Sequence, residues 1–591
     1  MALPSTDNPL IRRAGPGTPG LVEPDSPDLA AEFARLALPP GSAWKVVKRN
    51  PVRTVYFGRL AGQDVYLKHF HIRSPIRMLA DSLRGSSVQR EVKAWRCLGE
   101  LGVPTPEILA ADKCGESEWL ATRAVADAER ADLWHSRQLG EGQAGRRAIR
   151  QAAEALAEMI ARMHQGGIVH NDLHGGNILI RTTDAGPQPV LMDLHRVRRR
   201  QWWWQWRKLS RRARAANLAQ LYHDRACFTT RTERLRFLKH YLLASGASGS
   251  LRRWQVRVED AARRHSRRQY VRCDRRTLRK NRYFGRVRLA RGWRGHVVLA
   301  TKIPPVGSAA GALEFRLEDW QKVLASPEVL FLGDVKVIKD SPSTQVVRRT
   351  LVVGPHRLEV FIKRFRRKFL WRVVLDCFRW ARSIRAFKLG HALLNRRIPT
   401  ALPLVALDRR LGPVLMDSLL ITEAVEAPNL HEFLRTRLES RPKSGASLTA
   451  AQQHRLAREM PWQFGRFVQR LSDNGFAHRD LKAENLLIRW SPGRPIEVIL
   501  VDLEGLRRSY GLDVGRCFKG LMRLNVSLME CPAVNRTGRL RMLMGYLRRP
   551  GYWRVEFKPY WRILDEWSAR KLRRLLQVRR SRPGAMGRAS S

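Results

Sequence analysis

Long uncharged apolar runs are missing from this chain of 591 residues. None approaches the roughly 18 residues that a membrane-spanning helix needs, so no span is expected. Acids are scarce as well: 53 Asp and Glu stand against 110 Lys and Arg, for a formal net charge of +57. Such a field attracts polyanions, whether nucleic acid, an anionic membrane face or a phosphorylated substrate. Cysteine is sparse, with seven residues (97, 114, 227, 273, 377, 517 and 531) and no C-x-x-C pair. This argues against a disulfide framework or a zinc site and for a reduced compartment. Residues 1–40 are rich in Pro, Gly and Ser, and Arg12-Arg13 is not followed by an apolar stretch. They read as a disordered tail, neither signal peptide nor anchor, and a cytoplasmic location is expected. Disorder of the whole is excluded by 44% hydrophobic content and 18 Trp.

One constellation is written twice. His170-Asn171-Asp172-Leu173 is followed by Asn177 and by Asp193-Leu194; His478-Arg479-Asp480-Leu481 is followed by Asn485 and by Asp502-Leu503. In each copy the Asn lies five residues after the first Asp, and the second Asp follows 16 or 17 residues later. That is the order and spacing of a kinase catalytic loop and metal-binding segment. The flanks repeat too. Asp64-Val65-Tyr66-Leu67-Lys68 matches Glu359-Val360-Phe361-Ile362-Lys363, and Val103-Pro104-Thr105 matches Ile398-Pro399-Thr400. Arg234 to Tyr241 matches Arg539 to Tyr546. A duplicated unit is the economical explanation.

The pattern predicts an α+β chain of two tandem protein-kinase-like bilobal domains, each with a small β-rich lobe and a larger, mainly helical one. Short strands are expected at 44–47, 54–57 and 64–68, a helix at 88–101 and a longer amphipathic helix at 147–165. A strand at 119–122 is expected to form the hinge-side edge of the first small lobe. The domains would run 41–246 and 312–575. A basic connector, 247–311, would separate them, and 576–591 would be a basic tail.

Phosphoryl transfer asks for neutralised triphosphate charge and an aligned acceptor hydroxyl. Lys68 sits mid-strand, where it can serve the phosphates, and Glu91 lies 23 residues on, placed to orient it. The same count from Lys363 reaches Ala386, and no acid lies between Asp376 and Asp408. The second lysine is therefore expected to lack an ion-pair partner, and the second copy to hold nucleotide more weakly. No G-x-G-x-x-G precedes either lysine: the first copy offers Gly58 and Gly62, the second Asp340-Ser341-Pro342-Ser343-Thr344. The run Trp202-Trp203-Trp204-Gln205-Trp206, set among arginines, suits a headgroup boundary or ring packing within the large lobe, the latter favoured.

With these residues in hand, the chain resembles the bacterial lipopolysaccharide kinase (Kdo/WaaP) family. The first copy carries the closer signature in Leu191-Met192-Asp193-Leu194-His195-Arg196 and Asn217-Leu218-Ala219-Gln220-Leu221; the second has Val501-Asp502-Leu503-Glu504-Gly505 and Leu524-Asn525. The resemblance implies that Asp172 and Asp480 are catalytic bases and that Lys68 and Lys363 bind ATP. It implies that Asn177, Asp193, Asn485 and Asp502 bind Mg²⁺. The implied acceptor is a Kdo or heptose hydroxyl of an anionic glycolipid at the cytoplasmic membrane face. Two rivals remain: a protein serine/threonine kinase, which the absence of A-P-E after either metal segment disfavours, and a tandem pseudokinase scaffold on anionic lipid or nucleic acid.

Overall fold

Alternation in the Lys68 strand sends Val65 and Leu67 into an apolar core and leaves Lys68 on the opposite face. The computed structural model describes residue 22 and residues 27–36, 40–41, 43–49, 52–71, 85–114, 117–199, 209–225, 229–301, 312–366, 380–439, 448–491, 496–508, 514–548 and 556–580. The Trp202–Trp206 run lies outside them, as do most of residues 1–40 and residues 581–591. The chain divides into two units, Met1–Arg268 and Gln269–Ser591.

The first unit opens with helix α1 (Pro27–Arg35) and strands β1 (Lys45–Arg49), β2 (Arg53–Leu60) and β3 (Gln63–His71). Helix α2 (Ser87–Gly99) follows, then β4 (Ile108–Cys114) and β5 (Ser117–Arg123). The five strands form one antiparallel sheet in the order β1-β2-β3-β5-β4. The edge is therefore β4, not the 119–122 strand, which lies between β3 and β4. Ile108–Cys114 is Ala-rich and weak in intrinsic strand preference; burial of Leu109, Ala110 and Ala111 overrides it. A capping box between Ser86 and Gln89 starts α2.

The helical lobe of the first unit comprises β6 (Ala128–Arg130), α3 (Ala131–Gln138), α4 (Gly142–Gln165), β7 (Ile168–His170), β8 (Ile178–Thr183), β9 (Gly186–Leu191), β10 (Val197–Arg199), α5 (Arg211–Arg225) and α6 (Arg231–Ser245). Met159, Ile160 and Met163 on α4 are fully buried, as is Tyr241 on α6, whose ring meets that of Trp254. Trp254 belongs to α7 (Leu251–Arg276), within which the boundary between the units falls.

The second unit repeats the plan with an addition. Its strands β11 (Phe284–Arg288), β12 (Trp293–Val298), β13 (Lys336–Ser341), β14 (Thr344–Val353), β15 (His356–Phe365), β16 (Pro403–Leu411) and β17 (Val414–Glu423) form one sheet. The order is β11-β12-β16-β17-β15-β14-β13, so β13 to β17 reproduce the five strands of the first unit. Residues 284–298, from the basic stretch between the copies, supply two further strands on the β16 edge. A Cβ on Gly295 would lie 2.0 Å from the Ala406 carbonyl oxygen, so β12 reaches β16 only with glycine there. The remaining elements are helices α8 (Leu317–Val323), α9 (Arg382–Asn395), α10 (Leu430–Leu434) and α11 (Ala450–Asp473), strands β18 (Phe476–His478), β19 (Leu486–Arg489), β20 (Glu497–Leu500) and β21 (Leu506–Arg508), and helices α12 (Val514–Met529), α13 (Arg536–Leu547) and α14 (Lys558–Arg580). Helices α11 and α13 meet backbone to backbone at Gly465 and Gly545.

Candidate active sites

Each catalytic loop is held by one neutral histidine. His170 Nδ1 accepts the Asp172 backbone N–H at 3.2 Å, so its Nε2–H donates to the Met192 carbonyl at 3.2 Å. His478 does the same with Asp480 N–H at 3.2 Å and the Asp502 carbonyl at 2.9 Å. Burial lowers both imidazole pKa values. One ring thus spaces the first Asp from the metal segment. The Asn side chain is fixed equally: Asn177 Nδ2 donates to the Asp172 carbonyl at 2.9 Å and Asn485 Nδ2 to the Asp480 carbonyl at 2.8 Å. Backbone bonds from Met192 N to Asn177 O (2.9 Å) and Val501 N to Asn485 O (3.0 Å) set each Asn beside the metal segment. Asp193 and Asp502 both adopt left-handed backbone, φ 60° and 57°. That conformation is uncommon outside glycine and clusters at functional sites.

The lysines differ in their surroundings. Lys68 lies opposite Val55 and Leu120 on the sheet and ion-pairs with Glu91 of α2, whose carboxylate is 3% exposed. Asp193 is gripped by Arg53, with Nη1 at 2.7 Å from Oδ1 and Nη2 at 3.2 Å from Oδ2, and by His195 Nδ1 at 2.9 Å. Burial pushes the Asp193 carboxyl up, but the close approach of His195, the hydrogen bonds of Arg53 and the charges of Arg53 and Lys68 outweigh it. The group is held well below the usual carboxylate range. Glu91, Asp193 and His195 also form a possible metal-holding group. In the second unit, Lys363 lies 3.0 Å from Asp502 Oδ1 and ion-pairs with Glu504. Burial lowers the lysine pKa, but the charges of Asp502 and Glu504 prevail and raise it. This corrects the expectation that Lys363 lacks a partner: the helix offers none, and the metal segment does.

Arg53 and Glu504 escape sequence reasoning for different reasons. Nothing in a motif marks Arg53, 140 residues from Asp193. Glu504 stands two residues past Asp502, where a charge in place of His195 was the available signal. Gly58 and Gly62 serve the sheet itself. Gly62 makes the β2–β3 turn at φ 72°, and a Cβ on Gly58 would meet the Trp44 ring at 2.5 Å. In the second unit, Asp340–Thr344 spans the β13–β14 turn. Asp172 has a 47% exposed side chain and Asp480 is exposed, so both can meet an acceptor.

Behind the first loop lies a buried polar chain. Asn217 Nδ2 donates to the His170 carbonyl at 2.6 Å, and its Oδ1 accepts from His164 Nε2 at 3.0 Å; His164 Nδ1 accepts the Tyr241 hydroxyl at 2.7 Å. Burial is the main cause that lowers the His164 pKa to about 4. The unfolded chain binds this proton near the usual 6.5, while the folded one resists it until about pH 4. The stabilisation is therefore complete above pH 6.5 and fades as pH falls towards 4, by up to about 3 kcal/mol. Denaturant unfolding of the chain followed by pH should show this loss, and His164→Gln, though less stable at pH 7, should flatten it. An equally steep decline in His164→Gln would assign the effect to another group.

Both candidate sites lie in segments that match a known family. Residues 45–241 and 340–537 each match the model described as the lipopolysaccharide kinase (Kdo/WaaP) family. No curated protein matches the chain. Among solved structures, one described as WaaP in complex with acyl carrier protein is 21% identical, the match covering 41% of this chain and 98% of that one at a TM-score of 0.31. With both candidate sites inside family matches that together span most of its length, the chain belongs to the lipopolysaccharide kinase (Kdo/WaaP) family, phosphotransferases that act on sugar hydroxyls.

Proposed function

We propose that the chain transfers the γ-phosphoryl group of ATP to a Kdo or heptose hydroxyl of an anionic glycolipid at the cytoplasmic membrane face. The observation that carries this reading is the hydrogen-bonded frame around Asp172 and Asp480, in which His170 and His478 each join the loop backbone to the metal segment, through the Met192 and the Asp502 carbonyl respectively. In it, Asp172 and Asp480 accept the proton of the attacking hydroxyl. Their carboxylates are exposed enough to reach it, while their backbones are fixed. Lys68 and Lys363 take the nucleotide phosphates, and Glu91 keeps Lys68 extended.

The donor set supports Mg²⁺. With its N–H bound to the loop carbonyl, each Asn keeps its amide oxygen for a ligand, beside the carboxylate-bearing metal segment. Amide and carboxylate oxygens suit a hard cation. Asn177 with Asp193, and Asn485 with Asp502, would hold it, and it would neutralise phosphate charge there. Arg53 and Lys363 now occupy the Asp carboxylates.

An ATP-consumption assay against a panel of lipopolysaccharide core fragments tests the reading: turnover should require a Kdo- or heptose-bearing acceptor. Turnover stimulated only by a protein acceptor would overturn it. The membrane part has its own test. Among the described residues no helix is long and apolar enough to cross a membrane, and the net charge is +57. Binding to anionic vesicles should be strong at low salt and fall steeply as the Debye length shrinks below about 8–10 Å. Retention unchanged in high salt would contradict an electrostatic attachment.

A further inference from the structure

The two units place the acid that faces the sheet lysine on different elements. Their register is set by backbone bonds. Val103 N donates to Leu98 O at 3.0 Å and Ile398 N to Leu393 O at 3.0 Å; Leu191 N donates to Pro104 O at 2.8 Å and Leu500 N to Pro399 O at 3.0 Å. Helices α2 and α9 therefore correspond residue for residue, and Ala386 stands in the place of Glu91. Ala386 is 1% exposed and packs in the apolar core with Phe387 and Ile384. On the metal segment the exchange runs the other way, from Asp193-Leu194-His195 to Asp502-Leu503-Glu504. Where the first unit has a helix carboxylate and a metal-segment imidazole, the second has an apolar helix position and a metal-segment carboxylate.

The consequence is geometric. Glu504 meets the Lys363 ammonium directly, while Asp502 Oδ1 lies 3.0 Å from the same ammonium. Lys363 and Glu504 are largely shielded, at 22% and 24% exposure, while Asp502 is exposed. An ion pair so placed holds the lysine near the segment where the phosphates and their cation are to be received. Were Asp502 to turn to a cation, Glu504 would still anchor the lysine.

We propose that Glu504 is the positioning residue for Lys363, doing from the metal segment what Glu91 does from the helix, so that the second unit keeps nucleotide affinity despite Ala386. This rests on the kinase reading above and replaces the expectation of a weakened second site.

The test is equilibrium binding of a fluorescent ATP analogue with Mg²⁺ to the full chain, in a Lys68→Met background that reports on the second site. Glu504→Gln should weaken binding about ten- to a hundred-fold, the range of a lost charge-assisted contact. Adding Ala386→Glu to Glu504→Gln should recover part of the loss, and Glu504→Asp should keep part of the affinity. Thermal unfolding without nucleotide should be nearly unchanged in Glu504→Gln, which separates positioning from folding. Unchanged or tighter binding in Glu504→Gln, while Lys363→Met loses binding, overturns the role of Glu504 alone. Binding indifferent to both Lys363→Met and Glu504→Gln overturns the kinase reading of this site as well.

Discussion

The double variant Asp172→Asn/Asp480→Asn should lower phosphoryl transfer by about 10²–10⁴ while leaving ATP affinity nearly intact. The variant removes both proton-accepting carboxylates but no phosphate contact. The frame should survive it, since the loop is held through the Asp172 backbone N–H and carbonyl rather than its side chain. Single-turnover rates and nucleotide binding on the same preparation check both halves. Normal turnover in Asp172→Asn with loss in Asp480→Asn would assign transfer to the second unit.

Asp274→Ala should destabilise the second unit by about 3–5 kcal/mol, because it strands buried positive charge. The Asp274 carboxylate accepts from Nη1 and Nη2 of Arg396 (3.1 and 2.9 Å) and from Arg508 Nη1 at 2.7 Å, with Asn395 Nδ2 at 3.2 Å. Asp274 and Arg396 are almost wholly buried, with Tyr270 and Phe476 rings against the Arg396 guanidinium. Arg508 pairs with Phe476 across β21 and β18, the strand that ends in His478. The loss should therefore reach the second catalytic loop. Denaturant midpoints measure it, and a cost below about 1 kcal/mol would mean that water or another acid replaces Asp274.

Much of the site was legible because its chemistry is local in sequence. His, Asp and Asn within eight residues can be read from spacing alone, as can Lys68 and Glu91 on successive elements. What escaped depends on tertiary proximity or on weak local signals. Arg53 meets Asp193 only after the sheet has closed over the loop. Ile108–Cys114 becomes an edge strand through burial rather than preference. The first copy keeps the lysine's acid on the helix, at Glu91, and the second places it on the metal segment, at Glu504, a change that spacing does not mark. The basic stretch between the copies carries the strand-like Gly295-His296-Val297-Val298-Leu299, and pairing with β16 makes it part of the second sheet.

The central claim is phosphorylation of an inner-core sugar, and the acceptor's own mass tests it most directly. Incubation of the full chain with Mg-ATP and a Kdo- or heptose-bearing lipopolysaccharide fragment should add one phosphoryl group to a sugar hydroxyl, located by fragmentation, and the Asp172→Asn/Asp480→Asn double variant should abolish most of it. ATP consumed with the glycolipid unmodified, or phosphate found on protein side chains instead, would contradict the account.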